Sequence, residues 1–182
     1  MGSGNASSPR GNDYQESQIM KRYCGVGSRE TPPEVLSQMK TLANFLAQYG
    51  WLLRSGGAQG ADTAFETGCG DGRGSKEIFL PWKRFNGNLS PLYTQSTEAI
   101  EMARDIHPCW NACRFAAKKM HARNVHQVLG KDLVEPVDLV VCWTKRGKVT
   151  GGTATAINLA KSRGIPVFNM YSGFYFPKGA SK

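Results

Sequence analysis

The 182-residue sequence has no apolar run close to the roughly 20 residues that a membrane-spanning helix requires. Its amino terminus has neither the basic segment nor the apolar segment of a secretory signal. Cysteines are few and odd in number, five in all, and Cys24 and Cys142 lie inside apolar runs, as reduced cysteines do. These absences argue against a membrane protein and a disulfide-stapled secreted protein, and we expect a cytoplasmic chain.

Two common nucleotide-binding signatures are also missing. No Lys-Ser or Lys-Thr pair closes a glycine-rich turn, which argues against a Walker-type NTPase. The sequence has no Gly-x-Gly-x-x-Gly motif with an acidic residue about twenty positions later, which argues against an ordinary dinucleotide dehydrogenase. We therefore predict no cofactor.

Acidic residues are scarce relative to basic ones, with 14 Asp and Glu against 23 Lys and Arg and a net charge of +9. Such a charge favours polyanionic partners, either nucleic acid or nucleotides. The excess is concentrated in residues 82–131, in Lys83, Arg84, Arg104, Arg114, Lys118, Lys119, Arg123 and Lys131. A solvated helix face is the alternative interpretation of this cluster.

Apolar runs typical of strands alternate with segments of helical periodicity. The predicted strands are 19–26, 51–54, 77–80, 137–143 and 165–170. The predicted helices are 32–49, 58–69, 97–106, 109–129 (one long or broken helix) and 152–163. The continuous apolar run 137–143 is typical of a central strand buried on both faces. Strands separated by helices imply right-handed crossovers, so the pattern predicts an α/β fold with a doubly wound, mostly parallel sheet and helices on both faces.

We expect a single domain over residues 19–175. Residues 1–18 are polar and lack periodicity, like a disordered tail or the remnant of an expression tag, and 176–182 form a second tail. Residues 82–136, after the third strand, are a helical insert that a minimal fold does not require. We expect this insert to carry specificity.

Three glycine-bearing segments each follow a predicted strand and precede a predicted helix. They are 25–29 (Gly-Val-Gly-Ser-Arg), 55–62 (Ser-Gly-Gly-Ala-Gln-Gly-Ala-Asp) and 151–153 (Gly-Gly-Thr). In a parallel sheet such turns lie at the carboxyl edge, where they would form one crevice. Glycines let the backbone approach a phosphate, N–H groups at a helix start point toward the anion, and Arg29 adds a charge-assisted contact. The sequence therefore predicts a phosphate-binding crevice.

These blocks, together with Ala-Arg-Asn-Val-His-Gln-Val-Leu at 122–129, resemble the Rossmann-like domain of DNA-processing protein A (DprA), of the SLOG superfamily, over residues 20–170. His-Pro-Cys-Trp at 107–110 is similar to the small DprA-like proteins of bacteriophages, which act in the host cytoplasm. The resemblance implies a ligand crevice built from these loops. For DprA it implies single-stranded DNA binding, a homodimer, a recombinase as partner and a role in DNA recombination.

The expected ligand site combines this resemblance with the turns. The resemblance implies that the site is lined by Arg29, Ser55, Gly56, Gly57, Asp62, Arg123, Asn124, Gly152 and Thr153. The turns add Gly25, Gly27, Ser28, Ala58, Gly60 and Gly151, while Trp82 is a base-stacking candidate and His107 a functional histidine beside the crevice. Since a carboxylate is unfavourable beside phosphate, Asp62 is expected to hold a ribose hydroxyl or an arginine. Asn124 is expected to orient sugar or base.

Two other functions stay open. The SLOG phosphoribohydrolases carry a catalytic Glu after a Pro-Gly-Gly-x-Gly-Thr turn, whereas residues 150–158 contain no carboxylate. Glu66 or Asp62 could supply one from the neighbouring loop, so a nucleotide N-glycosidase or transferase is the enzymatic alternative. A sensor of a nucleotide signal is the third. The leading hypothesis is a DprA-like protein that binds single-stranded DNA or a nucleotide-derived ligand.

A metal site is the last alternative. His107, Cys109, Cys113 and His121 carry atoms that zinc favours, but their spacing fits no usual zinc finger. In a helix spanning 109–129, the two cysteines would share a face, and such a pair is more often core packing. We therefore predict no metal and expect His121 and His126 to lie at the surface or pack. Trp110 and Phe115 either stack on bases or pack the insert on the sheet.

Overall fold

The computed structural model describes residues 20–70 and 75–177, so the predicted tail 1–18 and residues 178–182 of the second tail lie outside the described residues. Eleven α-helices and β-strands follow one another along the described chain. They are β1 (Arg22–Gly27), α1 (Pro33–Gln48), β2 (Leu52–Ser55), α2 (Ala61–Cys69), β3 (Lys76–Ile78), α3 (Thr97–Ile106), α4 (Phe115–Leu129), β4 (Leu139–Trp143), α5 (Gly151–Ser162), β5 (Val167–Asn169) and β6 (Gly173–Tyr175).

The strands form one sheet in the order β3-β2-β1-β4-β5-β6. The first five are parallel to their neighbours, and β6 pairs with β5 in the antiparallel sense. The predicted α/β, Rossmann-like, mostly parallel fold is therefore confirmed. Strand β6 was not predicted, because this short edge strand has all three residues exposed and lacks the apolar alternation that marks a half-buried strand.

Side chains alternate between two cores, one on each face of the sheet. Tyr23 and Val141 point to the face covered by α1 and α2, while Cys24, Val26 and Val140 point to the face covered by α3, α4 and α5. Both faces of the central strands are therefore dry, which explains the continuous apolar run that predicted β4.

The segment predicted as an insert forms part of this core. Ala99 and Ala103 of α3 and Val125 of α4 are fully buried against the sheet. Of the two forms predicted for 109–129, one long helix or a broken one, the structure has the broken one: Trp110–Ala112 is a short 3₁₀ turn and α4 begins only at Phe115. Cys109 and Cys113 consequently do not share a helical face, and the packing argument that set a metal aside does not apply.

No helix within residues 20–70 and 75–177 has the length and apolar composition needed to cross a membrane.

Candidate functional site

The main crevice lies where the strand order reverses. The chain leaves β1 toward β2 and β3, and later returns to add β4 on the opposite side of β1. The connections at the carboxyl ends of β1 and β4 diverge there and leave a cavity of about 500 Å³. Ligands of open α/β sheets bind at this position, which is the edge where the glycine-bearing turns were expected to meet.

The turn after β1 forms one wall of the crevice. Gly27 leaves room for α2, since a Cβ there would lie 2.6 Å from the Cβ of Ala61. The turn is held by Ser28, whose Oγ accepts the Glu30 N–H at 3.0 Å and whose carbonyl accepts the Thr31 hydroxyl at 2.7 Å. Exposed Arg29 points across the crevice, with its Nη2 3.9 Å from the Met120 sulfur on α4. The guanidinium is therefore presented to a ligand in the crevice.

The amino terminus of α5 forms the opposite wall. Gly151, Gly152 and Thr153 are its first residues, and within the described chain no side chain caps their N–H groups. Asn124 of α4 fixes this turn, because its Nδ2 donates to the Gly152 carbonyl at 2.7 Å. Uncapped N–H groups at a helix start carry partial positive charge and favour an anion.

A buried ion pair lies at the floor of the crevice. Arg123 Nη1 donates to Asp62 Oδ2 at 3.0 Å, and the two side chains are 6% and 4% exposed. The same oxygen accepts the Ala58 N–H at 3.3 Å. Burial raises the pKa of the Asp62 carboxyl, and the Arg123 charge opposes that shift. Of the two roles expected for Asp62, the structure shows the contact with an arginine.

Gly56 lies directly under this ion pair. A Cβ on Gly56 would overlap Arg123 Nη1 and come 2.6 Å from Gln127 Nε2. The backbone dihedrals of Gly56 are accessible to any residue, so the glycine is required for space and not for conformation. Position 56 of the segment 55–62 is therefore a glycine because the Arg123 side chain occupies the space where a Cβ would lie.

The structure brings ten of the seventeen expected site residues to the crevice: Gly27, Ser28, Arg29, Ala58, Asp62, Arg123, Asn124, Gly151, Gly152 and Thr153. The turn at 55–62 therefore contributes only Ala58 and Asp62, and the other two turns supply most of the lining. The remaining seven lie elsewhere: Gly25, Ser55, Gly56, Gly57, Gly60, Trp82 and His107.

Four of those seven serve packing. A Cβ on Gly25 would press on the Phe65 ring at 2.6 Å, and Ser55 Oγ donates to the Gly25 carbonyl at 2.7 Å. Gly56 lies below Arg123, and a Cβ on Gly60 would meet the Ser28 carbonyl oxygen at 2.9 Å. These residues let β1, β2 and α2 approach each other closely, which shapes the crevice without lining it.

A second cavity contains Gly57 and the candidate catalytic residue Glu66. Both Glu66 carboxylate oxygens accept from Asn88 Nδ2, at 3.0 and 3.1 Å. Glu66 therefore faces away from the main crevice and from Asp62, the other carboxylate considered for catalysis.

Several crevice residues were not predicted from the sequence: Val26, Glu30, Ala117, Met120, His121, Thr144, Lys145, Lys148 and Thr150. Lys145 and Lys148 follow the carboxyl end of β4, so parallel-sheet geometry alone could have found them. His121 shares a face of α4 with Asn124, three positions apart, which is the available signal for it.

His121 is a buried wall residue of the crevice, with its Nδ1 2.7 Å from the Thr155 hydroxyl. Burial, reinforced by the charges of His107 and Arg123, lowers the pKa of His121 to about 4. His107 does not line the crevice, but its ring lies against that of His121, with centroids 4.3 Å apart. His126 is structural, since its Nε2 accepts the Ser96 N–H and its ring stacks on Phe79.

Another groove, which we call the aromatic groove, lies beside the amino-terminal half of α4 and has a volume of about 470 Å³. Its walls include Trp82, Tyr93, Phe115, Lys83, Lys118 and Lys119. Phe115 is 74% exposed, so of its two expected roles, base stacking and packing on the sheet, it does not have the packing role. Trp110 is partly buried against the core. Proteins that bind single-stranded nucleic acid stack its bases on exposed aromatic rings and contact its phosphates with nearby lysines.

Comparison with known proteins finds similarity in structure alone. No protein-family model matches the chain, and neither does any curated protein sequence. The molybdenum cofactor (Moco) carrier protein of Chlamydomonas reinhardtii superposes with a TM-score of 0.51 at 17% identity, covering 82% of this chain and 75% of its own.

Two DprA structures superpose equally well. DprA from Helicobacter pylori gives a TM-score of 0.50 at 19% identity, and DprA from Streptococcus pneumoniae gives 0.50 at 17%. Each covers 82% of this chain, which spans 64% and 50% of the respective DprA chains. The protein therefore has the same Rossmann-like fold as DprA and the Moco carrier. The resemblance to DprA found in the sequence is confirmed at the level of the fold.

Proposed function

We propose that this protein binds single-stranded DNA, with backbone phosphate held in the crevice between β1 and β4. The observation that carries the proposal is the meeting of an uncapped helix start at Gly151–Gly152 with cationic side chains on the same cavity. Arg29, Lys145 and Lys148 line that cavity, and Glu30, the exposed carboxylate among them, is paired with Lys145 at 3.4 Å. Such a site favours phosphate because dipole and charges act in the same sense.

The aromatic groove indicates that the ligand is a strand of several nucleotides and not a single nucleotide. The crevice contacts α4 through Ala117, His121 and Asn124, whereas the groove contacts it through Phe115 and Lys119. The two sites thus flank one helix, and only a ligand of several nucleotides engages both. DprA from H. pylori binds single-stranded DNA, which supports this ligand class. The Moco carrier shows that the same fold serves other ligands.

The geometry does not favour the enzymatic alternative. Asp62 is already paired with Arg123, and Glu66 is held by Asn88 in a different cavity. Neither carboxylate is placed to act on a glycosidic bond in the main crevice. A homodimer, a recombinase partner and a role in recombination stay predictions from the resemblance to DprA.

The first test removes two crevice lysines. In Lys145→Ala/Lys148→Ala, the slope of log affinity against log salt for a fluorescent oligothymidylate should become shallower by about 1.4, since each lost phosphate contact on a single strand contributes about 0.7. Fluorescence anisotropy over a salt series measures this slope. Lys131→Ala/Arg163→Ala removes the same charge from exposed positions outside the crevice and should leave the slope nearly unchanged. An equal change in both double variants would contradict the assigned site.

The second test addresses the length of the ligand. Trp82→Ala and Phe115→Ala should each weaken oligothymidylate binding about 5- to 150-fold, because base stacking on an aromatic ring contributes about 1–3 kcal/mol. Binding of thymidine monophosphate, which fills only the crevice, should not change. Tyr49→Ala removes a ring from the carboxyl end of α1 that is 69% exposed, close to the 74% of Phe115, and serves as the control. Tight monophosphate binding without oligonucleotide binding would instead support the nucleotide sensor.

A further inference from the structure

Three side chains with metal-binding atoms meet behind the α4 wall of the crevice, and one of them, His121, is part of that wall. His107 follows the last turn of α3, Cys113 lies between the 3₁₀ turn and α4, and His121 lies in the second turn of α4. One ligand atom from each, two ring nitrogens and the thiol sulfur, all lie within 4.8 Å of one another. Three separate segments of the chain thus bring a thiol sulfur and two imidazole nitrogens close together.

The separations are close to those of a loaded site. Cys113 Sγ lies 3.8 Å from each ring nitrogen of His107. In tetrahedral zinc sites, Zn–S bonds of about 2.3 Å and Zn–N bonds of about 2.0–2.1 Å put the ligand atoms about 3.3–3.6 Å apart. To hold one ion, Cys113 Sγ and the His107 ring would have to draw slightly closer, and the three ligand atoms, now within 4.8 Å of one another, would have to tighten around it.

The surroundings of His121 already orient it as a metal ligand. Its Nδ1 is 2.7 Å from the hydroxyl of Thr155, a residue of α5 that is 2% exposed. When Nδ1–H donates to that oxygen, the lone pair of Nε2 is left for an ion. Histidines that bind metals nearly always make such a hydrogen bond through the other ring nitrogen, because it fixes tautomer and ring orientation.

We propose that His107, Cys113 and His121 form a zinc site with three protein ligands and a fourth position for water. One thiolate and two imidazoles suit zinc, whereas magnesium and calcium prefer carboxylate and carbonyl oxygens. Among the described residues, no Asp or Glu belongs to this group. The ion would tie the turn before α4 to the wall residue His121, and an open position is typical of zinc sites that exchange ligands.

Cys109 provides the alternative explanation and the matched control. Its N–H donates to His107 Nδ1 at 3.2 Å, and its carbonyl lies 3.6 Å from Cys113 Sγ. These backbone contacts could hold the cluster together as a hydrogen-bonded turn. The Cys109 thiol is exposed and outside the group of ligand atoms, so replacing it tests a cysteine of the same turn without removing a ligand.

The experiment titrates chelator-treated protein with zinc against a chromophoric chelator, without nucleic acid, so its result is independent of the proposed DNA binding. We expect one zinc per chain in the wild type and in Cys109→Ser. Cys113→Ser should bind at least about 100-fold more weakly, because a ligand is lost. With cobalt as probe, wild type and Cys109→Ser should show thiolate-to-metal charge-transfer absorption that Cys113→Ser lacks.

Thr155→Val tests the hydrogen bond to His121 without touching a ligand, and it should weaken zinc binding about 10- to 100-fold while circular dichroism shows the fold retained. Absence of zinc binding in the wild type, or undiminished binding in Cys113→Ser, would overturn the site. An equally large loss in Cys109→Ser would overturn the three-ligand assignment with its open position. Unchanged affinity in Thr155→Val would contradict the orientation of His121.

Discussion

Gly56→Ala is expected to lower the free energy of unfolding by about 3 kcal/mol, although it adds a single methyl group. The added Cβ overlaps Arg123 Nη1, so the guanidinium has to move away from Asp62. Arg123 is only 5% exposed, so a displaced guanidinium loses a buried partner that its present position provides. The variant therefore combines overpacking with the disruption of a buried ion pair, both of which are costly. Urea denaturation measures the change.

Gly152→Ala is the matched control for this prediction. Gly152 also has backbone dihedrals open to any residue, and no described atom outside its own turn lies within 4 Å of the place that a Cβ would occupy. Because alanine favours helices over glycine, Gly152→Ala should leave stability unchanged or slightly higher. A second comparison, Gly56→Ala in an Arg123→Ala background, should cost much less than in the wild type. Equal costs in both backgrounds would contradict the explanation through Arg123.

Asp62→Ala should destabilise the protein by about 3–5 kcal/mol, the second large effect. Removing the carboxylate leaves the Arg123 charge buried without its partner, and that penalty exceeds the value of the contact itself. Arg123→Ala removes the positive charge and leaves the buried Asp62 carboxylate without its partner. Because both single variants carry an unpaired charge and the double variant does not, we expect a coupling of about 2 kcal/mol in the double-mutant cycle.

An exposed ion pair of the same crevice is the control for this cycle. Lys145 and Glu30 are 3.4 Å apart, with side chains 70% and 74% exposed. Glu30→Ala should change stability by less than about 0.5 kcal/mol, because water and salt screen such pairs. Additive effects in the Asp62 and Arg123 cycle would show that the two residues act independently, contrary to the structure.

Local sequence signals predicted most of the fold. The bounds 97–106 of α3 agree with the structure, as Ser96 caps the helix through the Ala99 N–H. The run of β4 was recognisable because both faces of the strand are buried. The start of α4 was not recognisable, since residues 110–114 have apolar content but form a 3₁₀ turn at Trp110–Ala112. Cys113, which follows this turn, contacts the ring of His107.

The candidate site was predictable where position along the chain determines position in space. Turns that follow parallel strands reach the same edge, so Arg29 and Gly152 were found. The roles of Gly25 and Gly56 depend on Phe65 and Arg123, which are distant in sequence, so these glycines could not be told from ligand-binding ones. Long-range packing also decided that Asp62 faces an arginine.

The same limitation explains the treatment of the histidines. His107 and His121 are fourteen positions apart, and only the return of the chain from α3 to α4 brings their rings together. Spacing rules for zinc describe ligands within one or two short motifs and do not cover three separate segments. A cluster assembled by topology becomes visible only in the folded chain.

In the proposed function, phosphate of a single strand binds in the crevice between β1 and β4. The most direct measurement is the change in backbone amide chemical shifts when oligothymidylate is added to ¹⁵N-labelled protein. We predict the largest changes at residues 27–29 and 151–153, which form the two walls. Changes confined to other surfaces, such as α1 or the edge strand β6, would contradict this claim.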